Sequence, residues 1–181
     1  IGKLHIFRFN SRSAGNRYHE LNSYPIAGEV TCLTITDIDQ DGVQDIVLGT
    51  HISSVAGDIQ WWRGNGSGSF SLKQDFVAPG PVLCITSADL GAAARKDIIF
   101  GFRTSDSGYS GGVRILYTDI GALPSSAVDP AGGTASYMTT SVAAANFNFR
   151  QNSTTPGPYY ADLAVAQKPS ATTGNLLVFI R

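Results

Sequence analysis

The sequence predicts an all-β protein assembled from repeated antiparallel units, and three observations carry that expectation. Only 15% of the 181 residues are charged, and β-branched or aromatic residues arrive in short runs split by glycine-rich turns. A stretch of about 20 residues recurs with matching landmarks, the signature of a repeat architecture. A glycine-led run with apolar residues at alternate positions occurs four times, as expected of strands with a buried face.

The first recurrence aligns TCLTITDIDQDGVQDIVLGT (31–50) without gaps against LCITSADLGAAARKDIIFGF (83–102). Asp37 then matches Asp89, Asp45 matches Asp97, Gly49 matches Gly101 and Cys32 matches Cys84, each a step of 52 residues. A more divergent copy is SVAAANFNF (141–149) followed by YADLAVAQ (160–167), with Asn146 in place of the first Asp and Asp162 in place of the last. Its loop is longer by eight residues.

The second recurrence is GKLHIFRF (2–9), GDIQWWRG (57–64), GGVRILYT (111–118) and GNLLVFIR (174–181). The alternating pairs are Leu4/Ile6, Ile59/Trp61, Val113/Ile115 and Leu176/Val178. Phe7, Trp62, Leu116 and Phe179 add bulk on the other face, as in strands covered on both sides. In order, a unit has strand A near 30–36, an acidic loop, strand B at 45–49, the glycine-led strand C, and strand D near 69–77.

Four antiparallel strands in about 55 residues make one propeller blade. The expected organisation is one β domain over 1–181: a partial blade at 1–29, blades at 30–81 and 82–138, and a partial blade at 139–181. A sandwich also has short strands, but it does not repeat loop chemistry at fixed spacing. With two full blades and two partial ones, the propeller in this chain is partial or open. Ile1 opens directly into strand-like sequence with no initiator Met, which suggests processing or a longer parent.

Composition excludes several roles. A net charge of -1 without basic runs argues against nucleic acid and anionic membranes as partners. No apolar run approaches the roughly 20 residues that span a bilayer, so no membrane insertion is expected. His5, His19 and His51 share no metal-ligand spacing, and no nucleophile elbow frames a serine. The chain is therefore expected not to be an enzyme.

The acidic loop DIDQDGVQD (37–45) carries four carboxylates in nine residues, which repel one another unless a cation sits among them. Calcium takes six to eight oxygen ligands. Asp37, Asp39 and Asp41 can point inward as the chain curls at Gly42, with the Val43 carbonyl and Asp45 closing the cage. An EF-hand is excluded, because its twelfth loop position, a bidentate Glu, is Leu48 here. An acidic turn alone accounts for Asp and Gly but not for four acids around Gly42.

The loop, the apolar strand before it, DIVLGT after it and GDIQWWRGNGSGSF together resemble the FG-GAP or VCBS-type repeat of the integrin alpha-subunit β-propeller and its bacterial relatives. The resemblance covers essentially the whole chain. It implies calcium at Asp37, Asp39, Asp41, Val43 (through its carbonyl) and Asp45, with a structural role. It also implies an extracellular or cell-surface module for adhesion or protein binding. Gly91, Ala93 and Lys96 in the second copy remove that site, whereas Asn146, Asn148 and Asp162 outline a weaker second one.

Protein partners or self-association are expected, since strand edges and blade faces left open attract further chains. A filament or pilus-like subunit is thus one alternative, and a carbohydrate-binding propeller or non-catalytic part of a larger secreted enzyme another. Trp61 and Trp62 could stack on sugars, but packing within and between blades is the favoured reading. Cys32 and Cys84 are expected as small buried thiols rather than a disulfide, because equivalent positions in neighbouring blades lie too far apart.

Overall fold

The computed structural model describes residues 1–9, 17–90, 95–119, 122–124, 126–130, 137–145 and 161–179. These residues form twelve strands in antiparallel sheets and no helix. The first sheet pairs β1 (Gly2–Phe9) with β2 (Tyr18–Ile26). The second runs β3 (Glu29–Thr36), β4 (Asp45–His51), β5 (Gly57–Gly64) and β6 (Phe70–Ala78), each paired with the next. The third holds β7 (Val82–Ala88), β8 (Asp97–Arg103) and β9 (Gly111–Leu116). The fourth holds β10 (Met138–Ala145), β11 (Asp162–Lys168) and β12 (Asn175–Phe179).

The alternation in the glycine-led strands decides how the sheets pack. Ile59 and Trp61 of β5 enter a core with Ile98, Phe100 and Leu116 of the third sheet. Trp62, pointing the other way, packs with Leu4 and Ile26 of the first sheet. Val113 and Ile115 of β9 meet Leu163 and Val165 of the fourth sheet. The sheets therefore stack face to face in chain order, and the inner ones are apolar on both faces. Burying side chains such as Trp61 and Phe100 contributes about 1.5–3 kcal/mol each. The stacking is tight at Gly49, where a Cβ would lie 2.5 Å from Val82 Cγ1 of the next sheet. Gly101 repeats the constraint, 2.5 Å from Thr139 Cγ2. A side chain at either glycine would push two sheets apart.

The three loops that follow β3, β7 and β10 leave and rejoin their sheets at one register: Thr36 opposes Asp45, Ala88 opposes Asp97 and Ala145 opposes Asp162. Each pair also carries a bulge, between Val30 and Cys32, Val82 and Cys84, and Thr139 and Ser141.

In the unit expected at 82–138, residues 120, 121, 125 and 131–136 lie outside the described residues. Among the described residues the third sheet has three strands, and only an isolated bridge, Ile115 to Val128, stands at its edge. A described part of the chain beyond β9 ties to the second sheet. Leu123 exchanges two 2.8 Å hydrogen bonds with the Gln74 side chain of β6 and buries its own side chain between the second and third sheets.

Cys32 and Cys84 are free thiols. Burial pushes Cys84 up to about 12 and raises Cys32 as well, so neither is a thiolate at neutral pH.

Candidate metal site

The loop between β3 and β4 is folded by its own acids. Asp37 accepts the backbone N–H of Asp41 at 3.2 Å and of Gly42 at 2.9 Å, one on each carboxylate oxygen. Asp41 accepts the N–H of Val43 at 2.8 Å. The tight curl needs two left-handed residues, Gln40 (φ 57°) and Gly42 (φ 85°). Glycine adopts that conformation without strain.

Asp45, the first residue of β4, is fully buried. One carboxylate oxygen accepts the Ile38 N–H at 3.1 Å and the Trp61 indole N–H at 2.9 Å. The other accepts the Gly64 N–H at 2.9 Å. Asp45 thus ties the loop to the end of β5. Asp97 does the same in the third sheet, accepting from Leu90 and Thr118, both at 3.1 Å. The carboxylate at this position is a clamp whether or not the other acids of the loop are present.

Asp37, Asp39 and Asp45 bring one carboxylate oxygen each within 4.8 Å of one another. Burial raises the Asp45 pKa, the three hydrogen bonds only partly offset this, and the charge of Asp39 raises it further. Asp39 Oδ1 is buried without a hydrogen-bond partner. An orphaned carboxylate oxygen beside two other carboxylates is a set of hard oxygen donors, and it fits a hard cation.

Asp41 stands outside this triad. Its Oδ2 accepts from Arg63 Nη2 at 2.8 Å, while Arg63 Nε lies 2.5 Å from Asp39 Oδ2. The Nε contact is misaligned, so that N–H finds no hydrogen-bond acceptor. Arg63 is the residue that the loop spacing does not reveal, since it lies on β5. A usable signal exists: it is the seventh residue of the glycine-led strand, where Tyr117 stands in the copy that lacks the counterparts of Asp39 and Asp41.

For the weaker second site, Asn146 and Asn148 lie outside the described residues. Asp162 is 2% exposed at the start of β11. In the second copy, Gly91 and Ala93 also lie outside them, and Arg95 pairs with Asp119 at 2.5 Å. Trp61 and Trp62 are both buried, so neither offers a face to a sugar. His5 contacts Glu20, and His51 lies between Glu29 and Asp106. A recess of about 240 Å³ between the third and fourth sheets is lined by Leu90, Ile115, Tyr117, Leu163 and Phe179, without a nucleophile and base among them.

No protein-family model matches this chain, and no protein of curated function matches it.

Proposed function

We propose that this chain is a calcium-stabilised module of FG-GAP or VCBS type, built as propeller-like blades and working outside the cell in adhesion, protein binding or surface assembly. The observation that carries the reading is the Asp37–Asp39–Asp45 triad, with a desolvated carboxylate at its base and an orphaned oxygen on Asp39. Those three residues would hold the ion; the resemblance adds Asp41 and the Val43 carbonyl. When bound, calcium supplies the positive charge that lets strands β3 and β4 converge on three acids. Asp37 shapes the loop through Asp41 and Gly42, and Asp45 anchors it to β5. Binding and assembly, rather than catalysis, are the roles this arrangement serves.

Extracellular calcium modules bind at about 0.1–1 mM, a range that fills outside a cell and empties in the cytosol. Titrating calcium chloride into the chelator-stripped chain should give saturable heat in that range. An absence of binding up to about 10 mM, far above the range for such modules, contradicts the reading.

The second reading, self-association, is favoured by one observation. Leu176 and Val178 are 71% and 50% exposed, and Phe7 is 57% exposed. Their counterparts Ile59, Trp61 and Trp62 are buried between sheets. Faces of this kind favour a further sheet against them. Light scattering and negative-stain microscopy of the chain test it; a monodisperse monomer at high concentration contradicts it.

A further inference from the structure

We propose that Arg63 is a built-in cation that competes with the metal for Asp39 and Asp41 and so sets the affinity of the site; this rests on the metal reading above. The argument begins with what Arg63 holds. Its guanidinium takes Asp39 Oδ2 through Nε and Asp41 Oδ2 through Nη2, at 2.5 and 2.8 Å. Asp41 is thereby kept out of the triad, although it lies in the same nine-residue loop. Of the loop's four carboxylates the guanidinium pairs with two, so neutralisation is incomplete. The fit is also incomplete, because Arg63 Nε and Asp39 Oδ1 both lack hydrogen-bond partners.

A divalent ion among these oxygens attracts each carboxylate with twice the charge of a guanidinium. It cannot share Asp39 and Asp41 with Arg63 without repulsion between the cations. Arg63 has somewhere to go, because 42% of its side chain is already exposed and its long stem reaches solvent, but leaving gives up its two ion pairs. Sodium and potassium carry no more charge than the guanidinium and lack its tether. They therefore do not displace it, and the site answers to divalent ions alone. The second copy supports the pairing of arginine with acids. There Gly91, Ala93 and Tyr117 replace Asp39, Asp41 and Arg63 together.

The test is isothermal titration of calcium chloride into the chelator-stripped full chain, as wild type, Arg63→Gln and Arg63→Lys, with melting curves in chelator and in calcium. Competition predicts at least about a tenfold lower Kd for Arg63→Gln, with Arg63→Lys between the two. It also predicts a crossing: Arg63→Gln melts below wild type in chelator and level with it or above it in calcium. Folding of Arg63→Gln only when calcium is present supports the proposal equally. Unchanged or weaker calcium binding in Arg63→Gln overturns it and leaves the metal reading standing, since Arg63 would then only shape the loop. Wild type and both variants failing to bind calcium overturns the metal reading and this proposal with it, and the absence of wild-type binding distinguishes that case.

Discussion

Trp61 donates its indole N–H to Asp45 at 2.9 Å, joining the largest buried side chain of the core to the buried carboxylate at the base of the acidic loop. Packing between the second and third sheets and charge placement in the loop are thus one construction. Trp61→Phe keeps most of the packing but removes one of three donors to a desolvated charge. The expected loss is about 1.5–3 kcal/mol, the worth of a hydrogen bond to a charged group. In a chain of this size that lowers Tm by roughly 3–12 °C. Calorimetry measures it, and a loss under about 0.5 kcal/mol would show that the bond contributes little.

Asp97 and Asp45 make the same backbone clamp, but among the described residues only Asp45 belongs to a triad. Asp97→Asn removes one acceptor and sets an amide N–H₂ against a backbone N–H, costing about 1–3 kcal/mol. That cost should be the same in calcium and in chelator. Asp45→Asn should carry a similar cost and also erase the calcium response. Melting curves of both variants under both conditions separate clamp from ligand.

Asp58 gives the pH prediction, away from the loop. Burial raises its pKa from 3.8, and the neighbouring charge of Asp75 adds to this; burial raises Asp75 too. A folded-state pKa above the unfolded value means that the folded chain holds the proton more tightly. The stabilising contribution is full below about 3.8 and is lost as pH rises through the folded pKa. At neutral pH Asp58→Asn should therefore melt above wild type, and the gap should close as pH falls toward 4. A gap that widens on acidification would reverse the sign of this account.

Val178 occupies the position that Trp61 fills on β5, yet it is exposed. If self-association covers this face, Val178→Lys should lower the apparent mass seen by light scattering and leave the stability in dilute solution within about 0.5 kcal/mol of wild type, the range for surface changes. An unchanged mass distribution would exclude β12 from the contact.

Much of this arrangement is legible in the sequence, for identifiable reasons. Alternation in GDIQWWRG separates Trp61 from Trp62, and the two do enter different cores. The loop 37–45 announces its curl through Gly42, the residue that takes the left-handed turn. What is not legible is long-range. Arg63 meets Asp39 only because β5 lies beside β4, with Trp62 opposite Ile46, and a nine-residue motif says nothing about the neighbouring strand. Leu123 is a similar case: its tie to Gln74 crosses 49 residues and joins the chain after β9 to the second sheet. The dual role of Asp45 could have been read, since Asp97 persists in a copy whose loop keeps Asp89 but has Gly91 and Ala93 in place of the two middle acids.

The central claim is that the 37–45 loop is a calcium site that stabilises the fold, and the most direct test is the melting temperature of wild type and Asp39→Ala, each in about 1 mM calcium and in chelator. With a Kd of about 0.1 mM, linkage contributes roughly 1.4 kcal/mol at that calcium concentration. That should raise the wild-type Tm by about 3–6 °C. Asp39→Ala, which removes the orphaned oxygen and one third of the triad, should melt at one temperature in both solutions. Coincident wild-type curves with and without calcium, or an Asp39→Ala chain that keeps the full shift, would contradict the claim.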